Sequence, residues 1–239
     1  MSLTKSGAIA AALAFSLFQM APAQAELISN GGFESGLTGW TVTGPNTSGC
    51  GRNFNVSTSG SAAGCTGYAP IPAGFVAPHS GTNAAYAAFD GAGPLHHTIT
   101  ETFAVPLSTG AATLSWYDAI GFGKGWTFRQ PRIYSVNLFN SSDALVGTLF
   151  SESFTNPAAG TFQNWTNHTV DLSPYMASLS GTNAKIQFDL FIPQVSTGPG
   201  AFGLDDVSIL ETAAVPEPAS IALLLLGVAG VAVARRRRA

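Results

Sequence analysis

Between Gly121 and Arg132 the chain sets Phe122 and Trp126 among three cations, Lys124, Arg129 and Arg132, in a glycine-rich stretch. That combination suits a sugar, because an exposed indole stacks on the apolar face of a pyranose while ammonium and guanidinium donors fix its hydroxyls. Trp126 stands between Gly125 and Thr127 and is the candidate stacking ring, with Lys124 and Arg129 as the polar donors. Tyr117 follows Trp116 in an apolar run, so on a strand it points to the opposite face and can extend a binding platform.

Catalytic chemistry is harder to find. The chain has no Gly-x-Ser-x-Gly elbow and no His-Glu-x-x-His or His-x-x-x-His pattern for a catalytic metal. Asp90, Glu101, Asp118, Asp171 and Asp189 could supply the paired carboxylates of a glycosidase, but sequence spacing does not show the separation such a pair needs. His96 and His97 are neighbours whose side chains diverge, and they read as two surface imidazoles. The expectation is a non-catalytic protein. Cys50 and Cys65, without a Cys-x-x-Cys spacing or an adjacent His, read as a disulfide, whose loop of about 15 residues would be worth about 3 kcal/mol.

The elements that position these residues are strands. In Thr98-Ile99-Thr100-Glu101-Thr102-Phe103 the threonines share one face and Ile99 and Phe103 the other, the period of a half-buried strand. Tyr134 to Leu138 repeats it, and further strands are expected over 39–43, 84–89, 112–120, 145–150, 161–170, 184–192 and 203–210. Trp40, Trp116 and Trp165 fall inside these patterns and read as core. Ser80-Gly81-Thr82-Asn83-Ala84 recurs as Ser180-Gly181-Thr182-Asn183-Ala184, each before an apolar strand, which reads as one turn used twice. The Gly, Ser, Ala and Pro-rich stretch 44–81 reads either as a surface excursion stapled by the two cysteines or as disordered decoration. One all-β domain, 26–214, follows.

The ends differ from this domain. Lys5, the apolar run Ala8 to Phe18 and Ala23-Gln24-Ala25 form a secretory signal peptide over 1–25, with Glu26 as the first mature residue. Over 215–239, Pro216-Glu217-Pro218 precedes sixteen apolar or small residues, Ala219 to Ala234, and then Arg235, Arg236, Arg237 and Arg238. A helix of that length reaches about 24 Å, a marginal transmembrane span whose arginines stay cytoplasmic. Of 239 residues only 10% are charged, and between Lys5 and Arg235 five bases face thirteen acids, a net charge of −8 that excludes nucleic acid as a partner.

The segment from Pro216 to the terminal arginines resembles the PEP-CTERM sorting signal of exopolysaccharide-producing Gram-negative bacteria. The resemblance implies export through the inner membrane, transient anchoring by the C-terminal helix, recognition by an exosortase-type enzyme and a place at the cell surface or in the biofilm matrix. Leu27-Ile28-Ser29-Asn30-Gly31-Gly32-Phe33-Glu34 with Gly39-Trp40, and the closing Gly203-Leu204-Asp205-Asp206-Val207-Ser208-Ile209, resemble the first and last strands of galactose-binding-like jelly rolls, which include many carbohydrate-binding modules. That likeness implies a jelly-roll β-sandwich and a structural calcium held by Glu34 with Asp205 or Asp206. Hard oxygen ligands suit that ion, and by parity with Val207 and Ile209 it is Asp205 that faces inward unless a bulge reverses it. The expected function is binding of an extracellular polysaccharide. The alternative is a structural or adhesive matrix protein without a sugar site.

Overall fold

The computed structural model describes residues 24–46, 52–58, 76–90, 93–107, 109–122, 130–155, 161–193 and 200–213. In chain order the elements are β1 (Gln24–Glu26), β2 (Trp40–Thr43), β3 (Asn55–Ser57), β4 (Ala84–Ala88), β5 (Leu95–Ala104), β6 (Thr109–Phe122), β7 (Arg132–Asn140), β8 (Leu145–Phe154), β9 (Phe162–Asp171), α1 (Ser173–Leu179), β10 (Asn183–Ile192) and β11 (Gly200–Ala213). They form an all-β sandwich of two antiparallel sheets, ordered β3-β4-β11-β6-β9, with β1 also on β11, and β2-β5-β10-β7-β8. All nine strands expected from the alternation pattern are present. The short β1 and β3 were not anticipated, and β3 lies within the stretch read as a surface excursion.

The period of two sets the layers. Along β5, Leu95, His97, Ile99, Glu101 and Phe103 face the other sheet, and along β10 so do Ala184, Ile186, Phe188, Leu190 and Ile192. Trp116 of β6 meets Phe188 of β10 edge-on across the two layers with ring centroids 5.8 Å apart, and Trp40, on the same sheet as Phe188, lies 6.3 Å from that ring. Two expectations need correcting. Trp165 is not in this core; it packs with Tyr86, Ala84, Ala119, Ala201 and Val76 in a small second cluster on the outer face of the six-stranded sheet. Nor is His97 at the surface: it is fully buried, with Nδ1 2.9 Å from the Ala88 carbonyl and Nε2 3.1 Å from that of Pro45. It shares its strand face with Ile99, so the same alternation that exposes His96 buries it.

The opening motif forms a pinned loop. Asn30 takes a left-handed conformation, φ 60°, and its side-chain amide donates to the Gly36 and Thr38 carbonyls while its amide oxygen accepts from Ser35 N. Phe33 turns back into the core 5.2 Å from Trp40, whose indole N–H reaches the Asn30 carbonyl. Gly31 is demanded by proximity, since its carbonyl accepts from Val207 N at 3.0 Å and an added Cβ would stand 1.7 Å from the Val207 oxygen. Gly36 is different, with φ +67° and nothing within 4 Å of an added Cβ. Gly31→Ala is therefore expected to destabilise the protein by more than about 2 kcal/mol through a forced backbone shift. Gly36→Ala should cost only about 1 kcal/mol of conformational strain. Denaturant midpoints of the two variants check the order, and equal losses would refute it.

Candidate functional site

Strand β11 gives one edge to two partners in succession. Ala201–Leu204 pair with β4, Leu210–Thr212 pair with β1, and the register with β6 slips between Asp205 and Ser208. At that bulge Asp206 takes φ 50°, and both closing-motif aspartates turn toward the segment entering β4. Asp205 is fully buried. Its Oδ2 accepts from His79 N at 2.9 Å and Ser80 N at 3.2 Å, and its Oδ1 from Asp206 N at 2.8 Å. Asp206, part exposed, holds the same two residues by their side chains, with the His79 ring nitrogen and the Ser80 hydroxyl each 2.6 Å away. Glu34 grips the other end of the turn, its Oε1 accepting from Thr82 N at 2.8 Å and Asn83 N at 2.9 Å. Burial pushes the Asp205 carboxyl up to about 6 against the pull of three backbone N–H groups.

Glu34, Asp205 and Asp206 thus converge on one turn, 79–83, and Gly32 lies between them and the loop, its added Cβ 3.5 Å from Asp206 Oδ1 and 4.0 Å from Asp205 Oδ1. Carboxylate oxygens are hard ligands of the kind a calcium ion takes. As placed, the carboxylates act as hydrogen-bond acceptors, and among the described residues no three His, Cys, Asp or Glu side chains gather as a metal-binding set.

Of the sugar-binding candidates, Lys124, Trp126 and Arg129 lie outside the described residues, as do Cys50, Cys65, Pro216, Glu217, Pro218 and Arg235 to Arg238. Tyr117 is on the outer face of the six-stranded sheet, where the His79 ring stacks on it at 3.6 Å and 17°. Trp165 stands edge-on to the same imidazole at 6.0 Å and donates its indole N–H to the Ala77 carbonyl. The ring face of Tyr117 is therefore shared with the chain's own histidine. Arg132, placed by sequence with the loop cations, is fully buried: it reaches the Phe89 carbonyl and pairs with Asp90 at 3.2 Å, and its burial lowers the guanidinium pKa to about 10.

The outer face of the five-stranded sheet carries a second polar array. His96 of β5 lies 2.9 Å from both oxygens of Asp189 on β10 and stacks on Phe191 at 4.7 Å. Burial raises the Asp189 pKa, and His96 opposes the rise. Gln187 reaches Thr100 at 3.3 Å, and Asn137 and Thr148 pair at 2.9 Å. Phe191 also pairs in register with Ile133, so Gln130 to Arg132, the described flank of the Trp126 segment, enter the sheet beside this ring.

Sequence reasoning missed a buried polar group between the sheets. Asp118 is fully buried, accepts the Trp116 indole N–H at 3.0 Å and lies 3.1 Å, at an oblique angle, from His168 Nε2. Tyr134 and Glu152 border it from the other sheet; burial and the Asp118 charge raise both pKa values. Asp118 shares parity with Trp116 and Ile120, a signal present in the sequence. The same parity puts Glu101 inside, where its Oε1 accepts from both the backbone N and the hydroxyl of Ser29 at 2.8 Å.

Residues 214–238 match the PEP-CTERM protein-sorting motif. That motif implies an exported protein held transiently at the membrane and processed by an exosortase. No curated protein matches the chain. Among solved structures, TmCBM61 in complex with β-1,4-galactotriose is similar at 14% identity and TM-score 0.46, over 77% of this chain and 97% of that one. A cleaved adhesin domain of Lys-gingipain from Porphyromonas gingivalis has 19% identity and TM-score 0.45, over 77% and 98%. A Stig cyclase from Fischerella sp. TAU has 16% identity and TM-score 0.46, over 80% and 100%.

The neighbouring Asp118 carboxylate raises the His168 pKa above its ordinary 6.5, with burial opposing, Asp118 and Glu152 being the charged groups that face it. A raised histidine pKa gives stability that is complete below the unfolded value and is lost as pH rises through the folded one. The stability difference between wild type and His168→Gln should therefore be largest below about pH 6 and shrink toward pH 8.5. Denaturation across that range measures it, and a difference that grows with pH would refute the pairing.

Proposed function

We propose that this is a non-catalytic polysaccharide-binding protein of the cell surface or biofilm matrix of a Gram-negative bacterium. Its residues 26–214 form the binding domain, a jelly roll, between a leader over 1–25 and a sorting segment over 215–239. The observation that carries the reading is the exposed His96 ring stacked on Phe191, with the Asp189 carboxylate against it and the Gln187 amide two residues along. Rings to stack and fixed polar groups to read hydroxyls are what a glycan site requires, and here they stand beside the root of the segment that carries Trp126, Lys124 and Arg129. The alternative, a structural or adhesive matrix protein without a sugar site, draws support from Tyr117, whose ring is already covered by His79.

A glycan array on the exported protein tests the reading. Specific binding is expected, and Trp126→Ala and Phe191→Ala should each weaken it about tenfold, the loss of one stacking contact. A folded protein that binds no glycan would leave the adhesive reading.

Calcium belongs to the same proposal. Glu34, Asp205 and Asp206 would hold the ion beside the 79–83 turn, where it would neutralise carboxylates that otherwise repel. Saturating calcium should raise the melting temperature by about 5 °C or more relative to chelator, and Glu34→Ala should abolish that increment. An unchanged midpoint with calcium would remove the ion from the account.

A further inference from the structure

A separate pocket of about 360 Å³ opens at the edge of the sandwich between β2 and β3, lined by Val42, Gly44, Asn46, Arg52, Asn53 and Asn55 with Phe54 behind. Its walls are fixed. Asn53, nearly buried, donates its side-chain amide to the Gly44 carbonyl at 2.9 Å, and its backbone N donates to Asn46 Oδ1 at 3.0 Å, which ties the two sides together. Gly44 sits at φ +126° with an added Cβ 2.2 Å from the His96 carbonyl, so this wall is closed by a backbone contact. The Arg52 carbonyl accepts from Ala88 N at 2.8 Å, which anchors that residue's main chain to the end of β4.

What the walls leave unused is informative. Among the described residues the Arg52 guanidinium has no ion-pair partner, and Asn55 Oδ1 is buried with no hydrogen-bond partner. A buried acceptor without a donor is costly, and a ligand hydroxyl would remove that cost. Arg52 lines this pocket, and a guanidinium matches a carboxylate in a two-pronged geometry. A ring that carries both a carboxylate and hydroxyls is a uronic acid, and the volume admits one with its neighbour in a chain.

We propose that this pocket takes a single uronic acid residue of a largely neutral polysaccharide, with Arg52 on its carboxylate and Asn55 on a hydroxyl. The inference rests on the polysaccharide-binding reading. A continuous polyuronate is disfavoured, because between Lys5 and Arg235 the chain carries a net charge of −8 that repels a polyanion while a local cation still reads one carboxylate.

The test is isothermal titration of the exported protein with xylotetraose bearing one glucuronic acid and with the same oligosaccharide after carboxyl reduction. Wild type should prefer the acidic form by about tenfold, and Arg52→Gln should bring the ratio of the two affinities to about one. Asn55→Leu should weaken both forms. An Arg52→Gln protein that keeps the preference, or a wild type that shows none, would overturn the assignment. If these oligosaccharides fail while other glycans on the array bind, the pocket assignment falls alone; if no glycan binds, the broader reading falls with it.

Discussion

A β-strand has two edges, and β11 must satisfy four partners with them: β6 along one side, and β4, the Gly31 carbonyl and β1 in turn along the other. That succession is possible only because the strand bulges between Asp205 and Ser208, which frees backbone groups at the changeover and swings two carboxylates out of the ladder. The opening loop comes close enough to use Val207 N because residue 31 has no side chain. The turn that feeds β4 is then held from both ends, by Asp205 and Asp206 at His79 and Ser80 and by Glu34 at Thr82 and Asn83. The first loop, a turn from the middle of the first half and the final strand are thus fixed at one place.

The alternation of side chains made the sandwich legible. It located every long strand, and it separated Trp116 from Tyr117. It failed where a strand is too short to show a period, as in β1 and β3, which exist because longer neighbours offer them an edge. It also mis-sorted Trp165, because the outer face of that sheet is not solvent there: the 76–80 segment lies across it, and no local pattern in β9 announces a cover that comes from 85 or so residues earlier in the chain.

Polar residues were read less well for a related reason. His97, Asp118 and Glu101 look like surface groups by type and are interior by parity; type prevails in the reading of His97, and Asp118 and Glu101 stand there only as candidate catalytic carboxylates. Each is tolerated because a fixed donor or acceptor awaits it: two carbonyls for His97, the Trp116 indole for Asp118, and Ser29 for Glu101. Those partners are distant in sequence or unremarkable in it. The repeated Ser-Gly-Thr-Asn-Ala pentapeptide shows the converse. Both glycines lie in the left-handed region, at φ 59° and 70°, yet one turn is clasped by Glu34 and the other by backbone groups of Val105 and Leu179. Local chemistry set the bend, and the surroundings set its use.

The course of β11 also orients the molecule. Gly200 pairs with Phe122 at the end where the Trp126 segment is rooted and where Phe191 meets His96, whereas Ala213 closes the opposite end, next to Gln24 on β1. Fourteen strand residues separate these ends by about 45 Å. The sorting motif begins at the next residue, 214. That motif therefore joins the domain at the end of the sandwich where β1 lies against β11. The stacked His96 and Phe191 rings lie at the other end of the same strand, so whatever is held by the sorting segment is held a full sandwich length away from them.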